Sequence, residues 1–280
     1  EDILESHLRF HLAQGVDTIV VTDNLSVDRT PEILLRYESS GDVHLLEEST
    51  DNYDQARWVT RMARTAAVEH GADWIINSDA DEFWWPESGD LKSVLAAVPP
   101  DVDVVRIERV NFVPRPERLG PLFSRMVVRE VESLNALGRP LPAKVCHRAH
   151  PEIEVAQGNH HVGAEGLGRE LHSAAITILH FPLRTCAQFT NKIVKGGRAY
   201  ERNTELSPEA GATWRRLYRL HQKGGLAAEW DRHELSEMQI RQGLAEGRLV
   251  LDHRLERYLE CIPATLPAAV ADVEGLEGAG

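Results

Sequence analysis

Residues 77–86, NSDADEFWWP, place three carboxylates, Asp79, Asp81 and Glu82, within four positions, directly after an apolar stretch that is typical of a buried strand. Like charges this close repel one another, and burying them without a partner is costly. Carboxylates at i and i+2 after a strand can point to the same side and bind one hard divalent cation. The pair Asp79 and Asp81 therefore predicts a metal site, although a D-x-D pair alone is also compatible with a solvated acidic turn.

His180 is the candidate that would complete this metal site, because it ends a predicted strand over residues 173–182. Imidazole nitrogen binds Mn²⁺ well and Mg²⁺ less readily. The alternative is a half-buried strand histidine that is bonded to backbone. Arg184 and Lys192 follow His180, and basic side chains beside a metal suit a diphosphate. They are equally compatible with a solvated helix face.

Two further polar clusters could take part in binding. Asp23 and Asn24 follow a buried apolar run, where they could hydrogen-bond a ribose or a base, or form a turn and a helix cap. His160 and His161 are adjacent on a predicted strand, so their side chains face opposite sides and only one can enter a site. We favour His160; the alternative is one exposed and one packed histidine.

The elements that must position these side chains alternate between helix and strand over the first 81 residues. Periodicity and stop signals predict helices over 3–15, 30–41 and 53–70, and strands over 17–24, 43–48 and 73–81. This alternation is typical of an α/β fold with parallel strands, in which ligands bind at the carboxyl ends of the strands. The polar cluster that contains Asp23 and Asn24 and the acidic cluster at 79–82 both fall at such ends.

The remaining chain is first rich in strands and then helical. Strands are predicted over 101–115, 123–132, 144–149, 153–162 and 173–182, and helices from 185 to 257. We expect residues 1–200 to form the catalytic domain and residues 201–262 a helical C-terminal extension. The Ala- and Gly-rich tail, 263–280, is expected to be flexible.

Composition narrows the class of protein. The 280 residues carry a net charge of −13, which argues against a nucleic-acid-binding surface. Only three cysteines are present and they form no CxxC pair, which favours a reducing compartment and hence a cytoplasmic location. The sequence has no apolar run of membrane-spanning length, so we expect no integral membrane segment.

Several segments together resemble the bacterial branch of family 2-type glycosyltransferases, whose aspartate motif reads D-x-D-E-F. They are TDNLSVDRT (22–30), YDQARW (53–58), DWIINSDADEFWWP (73–86), GNHHV (158–162) and LHFPLRTCAQFTNK (179–192). The resemblance covers about residues 1–200. It implies a GT-A fold, which is a Rossmann-like, mostly parallel mixed sheet flanked by helices. It also implies an inverting transfer of a sugar from a nucleoside-diphosphate sugar to an acceptor hydroxyl.

The resemblance also implies roles for single residues. Asp79 and Asp81 would hold Mn²⁺ or Mg²⁺ on the donor diphosphate, Asp81 as the direct ligand, and His180 would complete the metal site. Glu82 would orient donor sugar hydroxyls or a metal-bound water. The side chains expected near the donor nucleotide are Asp23, Asn24, Gln55, Arg57, Asp79, Arg184 and Lys192.

Two features of the family are not found directly in the sequence. The acceptor hydroxyl needs a general base, and Glu165, Glu152 and His160 are candidates by location alone. Such enzymes also open with a strand ahead of the helix at 3–15, so we expect the natural protein to have that strand upstream.

Two other functions use the same residues. A metal-dependent phosphoesterase would need more ligands near Asp79, and a non-catalytic sugar- or metal-binding module would need no base. The acceptor is not identified; Trp214, Tyr218 and Trp230 in the helical region could contact it or form core. We expect one of Trp84 and Trp85 to stack on a sugar and the other to pack beneath the loop.

Overall fold

The computed structural model describes residues 1–263 except 53, 116–117, 135–138, 205 and 207–210. The first six elements are α1 (Leu4–Ala13), β1 (Ile19–Asp23), α2 (Thr30–Ser39), β2 (Val43–Glu47), α3 (Gln55–Val68) and β3 (Trp74–Ile76). The predicted alternation of helix and strand over this region is therefore confirmed. β1 pairs with β2 in parallel, with Asp23 opposite Glu47 at the carboxyl ends.

The middle of the chain is rich in short strands. Its elements are β4 (Glu82–Pro86), α4 (Leu91–Ala96), β5 (Val102–Ile107), β6 (Arg109–Asn111), α5 (Leu122–Arg125), β7 (Val128–Glu130), β8 (Lys144–Arg148), β9 (Glu154–Val155), β10 (Val162–Gly163), β11 (Arg169–His172) and β12 (Ile176–His180). The strand predicted over 123–132 begins as the helical turn α5, and the strand predicted over 153–162 is two short strands around a turn. β11 was not predicted.

The fold is mixed α/β, and the expectation of a mostly parallel sheet is wrong for the described residues. Five of their eight strand pairings are antiparallel. The main reason is β8, which lies between β3 and β5 and runs antiparallel to both. Sequence periodicity identifies strands but not their directions, so this insertion was not predictable from the pattern.

β4 was not predicted as a strand, and it brings the acidic segment next to β12 and β6. It pairs antiparallel with β12, which places Glu82 opposite His180, and β12 pairs in parallel with β6, which places His180 opposite Asn111. The register therefore aligns one carboxylate, one imidazole and one amide across three strands.

Both tryptophans of β4 pack inside the protein. Because successive side chains of a strand point to opposite faces, they enter two different core clusters. Trp84 is fully buried in a cluster with Leu91 and Ile178. Trp85 is partly buried, stacks on Phe10 and meets the edge of Tyr258. The expectation that one of them stacks on a sugar finds no support in these contacts.

The C-terminal region is helical, as predicted, and it packs back onto the N-terminal part. Its elements are α6 (Cys186–Arg202), α7 (Ala212–Gln222), α8 (Leu226–Trp230), α9 (Glu237–Ala245), β13 (Leu249–Leu251) and α10 (Arg254–Cys261). β13, which was not predicted, pairs with β7. Arg9 of α1 donates hydrogen bonds to the carbonyl oxygens of Leu259 and Ile262 near the end of α10.

The aromatic residues of this region are mostly core. Trp230 and Tyr218 are buried in one cluster with Phe189 of α6, and Trp214 packs against that cluster, which favours the core interpretation of these residues. Across the described residues, no helix combines the length and the apolar character needed to span a membrane. The tail from residue 264 onward lies outside the described residues.

The contact between α6 and α7 leads to a stability prediction. A Cβ atom on Gly197 of α6 would overlap the Cβ atom of Tyr218, which cannot move without moving the backbone of α7. We expect Gly197→Ala to lower the free energy of unfolding by about 1–3 kcal/mol in urea titration, because overpacking strains the interface. Gly163→Ala is the matched control, since its Cβ would meet no atom within 4 Å. Equal stability of the two variants would contradict this packing.

Candidate functional site

The turn between β3 and β4 places the carboxylates of Asp79 and Asp81 in different surroundings. The Glu82 N–H donates to the Asp79 carbonyl oxygen at 3.0 Å, and the Ser78 hydroxyl lies 3.1–3.2 Å from the carbonyl oxygens of the same two residues. The Phe181 N–H donates to the Asp81 carbonyl oxygen at 2.9 Å, which anchors the turn to the end of β12. As a result, Asp79 and Asp81 enter two different networks rather than sharing one site.

Three donors engage the carboxylate of Asp79. Its Oδ1 accepts from the Gln55 side-chain amide at 2.9 Å and from the Asn159 amide at 3.1 Å. Its Oδ2 accepts from the Lys144 ammonium at 2.6 Å. The side chain remains 32% exposed, so a ligand can still reach it. Asp79 is therefore a pre-oriented acceptor at the surface of the site.

Lys144 also contacts Glu82, and this pair lies in the interior. The Lys144 ammonium is 3.0 Å from Glu82 Oε1, the Arg109 guanidinium is 3.3 Å from the same oxygen, and Glu82 is 0% exposed. Burial, followed by the charge of Asp79, raises the pKa of Glu82 to about 7. Burial alone would lower the pKa of Lys144, but the carboxylates of Asp79 and Glu82 raise it, so the ammonium stays protonated.

This burial bears on the predicted role of Glu82. A side chain with no exposed surface does not reach donor sugar hydroxyls or an acceptor in this arrangement. The contacts instead make Glu82 a partner of Lys144 and Arg109, which supports the turn from behind.

Asp81 lies in the second network, among basic side chains. Its Oδ2 is 2.9 Å from the Lys192 ammonium and 4.0 Å from the Arg184 guanidinium. Burial alone would raise the pKa of Asp81, but the charge of Lys192 and the further interactions with His180 and Arg184 hold that pKa well below its usual range. Asp81 is therefore a carboxylate at neutral pH.

His180 faces Asp81 as a neutral imidazole. Burial lowers the pKa of His180 to about 3. Its Nδ1 is 2.7 Å from the side-chain oxygen of Asn111, an acceptor, so Nδ1 carries the proton and Nε2 presents a lone pair. That Nε2 is 3.7 Å from Asp81 Oδ1 with no proton between them. A hydrogen bond from the far ring nitrogen is what orients metal-binding histidines, so the pair fits a divalent cation.

The predicted three-ligand arrangement of Asp79, Asp81 and His180 is not what the structure brings together. The oxygens of Asp79 already accept from Lys144, Gln55 and Asn159. Within residues 1–263, masked positions aside, no three His, Cys, Asp or Glu side chains form a metal-ligand group. A cation at Asp81 and His180 would complete its coordination with phosphate or water oxygens, which Mg²⁺ and Mn²⁺ commonly take.

The other predicted donor-side residues lie at different distances from this centre. Gln55, the first residue of α3, reaches Asp79 directly. Arg57 is exposed on the same helix. Asn24 donates to the carbonyl oxygens of Glu48 and Thr50, so its amide holds the loop after β2. Asp23 is partly buried at the end of β1. A nucleoside contact for Asp23, Asn24 or Arg57 remains a prediction.

Among the described residues, no hydrogen bond or ion pair joins a predicted base, His160, Glu165 or Glu152, to the acidic turn. The His160 Nδ1 is 2.9 Å from the Ala143 carbonyl oxygen, and burial lowers the pKa of His160 to about 4. Gly158 and Asn159 both have left-handed φ angles, of 81° and 61°, which turn the Asn159 amide toward Asp79 instead. Glu165 is exposed beyond β10, beside Arg64 and Glu152 at the edge of a shallow groove.

The residues that sequence reasoning missed are Lys144, Asn159, Arg109 and Asn111. A lysine that opens the apolar strand KVC in an acidic chain is a signal for a buried partner of carboxylates. The Gly-Asn pair at 158–159 is a turn signal that could have placed Asn159.

Comparisons with known proteins add no assignment. No model of a protein family matches the chain, and no curated protein matches it significantly. The geometry of the site and the motif resemblance are therefore the grounds for assigning a function.

The Lys144 network leads to a second stability prediction. Lys144→Met would leave Asp79 and Glu82 without their shared cation, so we expect the free energy of unfolding to fall by about 3–5 kcal/mol in urea titration. Glu82→Gln added to Lys144→Met should restore at least about 1 kcal/mol, because one buried charge is removed. Lys223→Met, at an exposed position, is the control. A loss as small as that of the control would contradict the network.

The histidine behind the turn leads to a prediction about pH. Burial lowers the pKa of His7, whose Nε2 is 3.2 Å from the Ser78 hydroxyl, from 6.5 to about 4. The unfolded chain thus takes up this proton first, and the associated stability is present above pH 6.5 and lost as the pH falls toward 4. His7→Gln should reduce the slope of unfolding free energy against pH in this window, whereas His172→Gln, on exposed β11, should not. An unchanged slope in His7→Gln would contradict the assignment.

Proposed function

We propose that the protein is a metal-dependent glycosyltransferase with a GT-A fold, which transfers a sugar from a nucleoside-diphosphate sugar to an acceptor hydroxyl. The observation that carries the proposal is the facing pair of Asp81 and neutral His180, with Lys192 and Arg184 on the other side of the same carboxylate. The candidate ligands for a cation and the basic groups that could bind phosphate therefore lie next to each other around the Asp81 carboxylate.

The chemistry of this donor set supports the proposal. A carboxylate oxygen and an imidazole nitrogen together suit Mn²⁺, and basic side chains bind phosphate oxygens through charge-assisted hydrogen bonds. When bound, the cation would supply Lewis-acid stabilisation of the leaving nucleoside diphosphate. Arg184 is held in place by two hydrogen bonds to Asp2 and one to the Phe181 carbonyl oxygen. It therefore offers a fixed positive charge beside the pair.

Asp79 supports the proposal from the other network. Its exposed carboxylate is held by donors on three different elements, so it can accept hydrogen bonds from ribose or sugar hydroxyls without reorganising. Among the predicted bases, His160 is a partly buried neutral imidazole, whereas Glu165 and Glu152 are exposed at a shallow groove. We assign the base to His160 within this proposal.

A phosphoesterase is less well supported by the same contacts. Two-metal hydrolysis would recruit Asp79 as a further metal ligand, yet the oxygens of Asp79 accept from Lys144, Gln55 and Asn159. A non-catalytic binding module would bind the donor at the same residues, and only the absence of turnover would distinguish it from a transferase.

The donor site on which the proposal depends is tested by thermal unfolding with UDP, GDP and dTDP, each with and without Mn²⁺. We expect at least one nucleotide to raise Tm by about 5 °C, and only when Mn²⁺ is present. Asp81→Asn should lose this shift, and Asp231→Asn, at an exposed position on the end of α8, should keep it. Absence of stabilisation with every nucleotide and metal combination would refute the proposal. Phosphate release from a simple phosphomonoester would favour the phosphoesterase.

A further inference from the structure

The ammonium of Lys192 contacts one of the two carboxylate oxygens of Asp81, the proposed cation ligand. Its Nζ is 2.9 Å from Asp81 Oδ2, while Oδ1 of the same carboxylate faces His180. We propose that Lys192 is an exchangeable counter-ion. It neutralises Asp81 when no divalent cation is bound, and it transfers to the donor diphosphate when one binds. This inference rests on the proposed function.

Charge explains why the two cations exclude one another. A divalent ion held between Asp81 and His180 would lie within a few ångströms of the ammonium, because Lys192 and His180 contact the two oxygens of one carboxylate. Two positive charges this close repel strongly in a partly buried site, where water screens them only in part. Removal of the ammonium from Asp81 is therefore coupled to entry of the metal ion.

Lys192 is more exposed to solvent than its neighbour Arg184, which leaves its ammonium more room to turn away from Asp81. The Lys192 side chain is 32% exposed, whereas that of Arg184 is 8% exposed and bonded to Asp2 and to backbone. Among the described residues, the Lys192 ammonium also lies near the Trp214 ring, whose centroid is 5.8 Å away. This cation–π contact is weak and lets the side chain turn on its four-carbon stem.

The helix beneath Lys192 is fixed, so the exchange involves the side chain alone. Phe189 and Ile193, on the adjoining turns of α6, are buried in one cluster with residues of α7 and α8. Gly197 packs against Tyr218 with no room for a Cβ atom. Binding of the metal ion and binding of the diphosphate both favour the position in which Lys192 has left Asp81. The two binding events are therefore cooperative.

The inference predicts effects of opposite sign in one variant. In Lys192→Met, Mn²⁺ titrated calorimetrically into nucleotide-free protein should bind at least about fivefold more tightly, because its competitor is gone. UDP, GDP and dTDP, titrated in turn at saturating Mn²⁺, should bind at least about fivefold more weakly, because a phosphate contact is lost. Lys195→Met is the matched control, since Lys195 is exposed on the same helix and is expected to leave both affinities unchanged.

The outcomes separate this inference from the proposed function. Weaker or unchanged Mn²⁺ binding in Lys192→Met would overturn the exchange, even if the nucleotides bind the wild type with Mn²⁺. Wild-type protein that binds Mn²⁺ but no nucleotide would refute the proposed function. It would also refute the transfer of Lys192 to the donor diphosphate. Lys192→Gln is a second variant with the same expected signs, in case the methionine variant does not fold.

Discussion

The ammonium of Lys144 between the carboxylates of Asp79 and Glu82 is the interaction on which the rest of the site depends. One of these carboxylates is wholly buried, and its oxygen is 3.0 Å from the ammonium. An unpaired charge in such a place costs several kcal/mol, and Lys144 together with Arg109 offsets that cost for Glu82. The protein supplies that cation from β8, the strand whose antiparallel insertion makes the sheet mixed.

The internal cation divides the acidic segment into parts with different properties. Glu82 and Lys144 form a closed pair that shapes the turn, and Asp79 becomes a fixed acceptor at its surface. Asp81 is left to the other network, where its partners are an imidazole lone pair and an ammonium with room to move. Sequence proximity suggested that both aspartates share one cation, whereas the contacts favour one cation site on Asp81 and a hydroxyl-binding role for Asp79.

Local signals in the sequence predicted what local interactions determine. The first six elements follow from apolar periodicity and glycine stops, and the acidic cluster follows from its position after a strand. The pairing of His180 with Asp81 was also anticipated, because each lies at or near the end of a predicted strand. Lys144 and Asn159 were missed because their role depends on strand order and on a left-handed turn, which join residues 65 and 80 positions from Asp79. No pattern within one segment reports such pairing.

We propose that Asp81 and His180 bind the cation that carries the donor diphosphate. Pulsed electron paramagnetic resonance of Mn²⁺ bound to protein with ¹⁵N-labelled histidine, in the presence of UDP, GDP or dTDP, tests this assignment. We predict coupling of Mn²⁺ to one histidine nitrogen and to phosphorus, with the nitrogen coupling lost in His180→Gln. Phosphorus coupling without any histidine coupling, or a histidine coupling that persists in His180→Gln, would rule the assignment out.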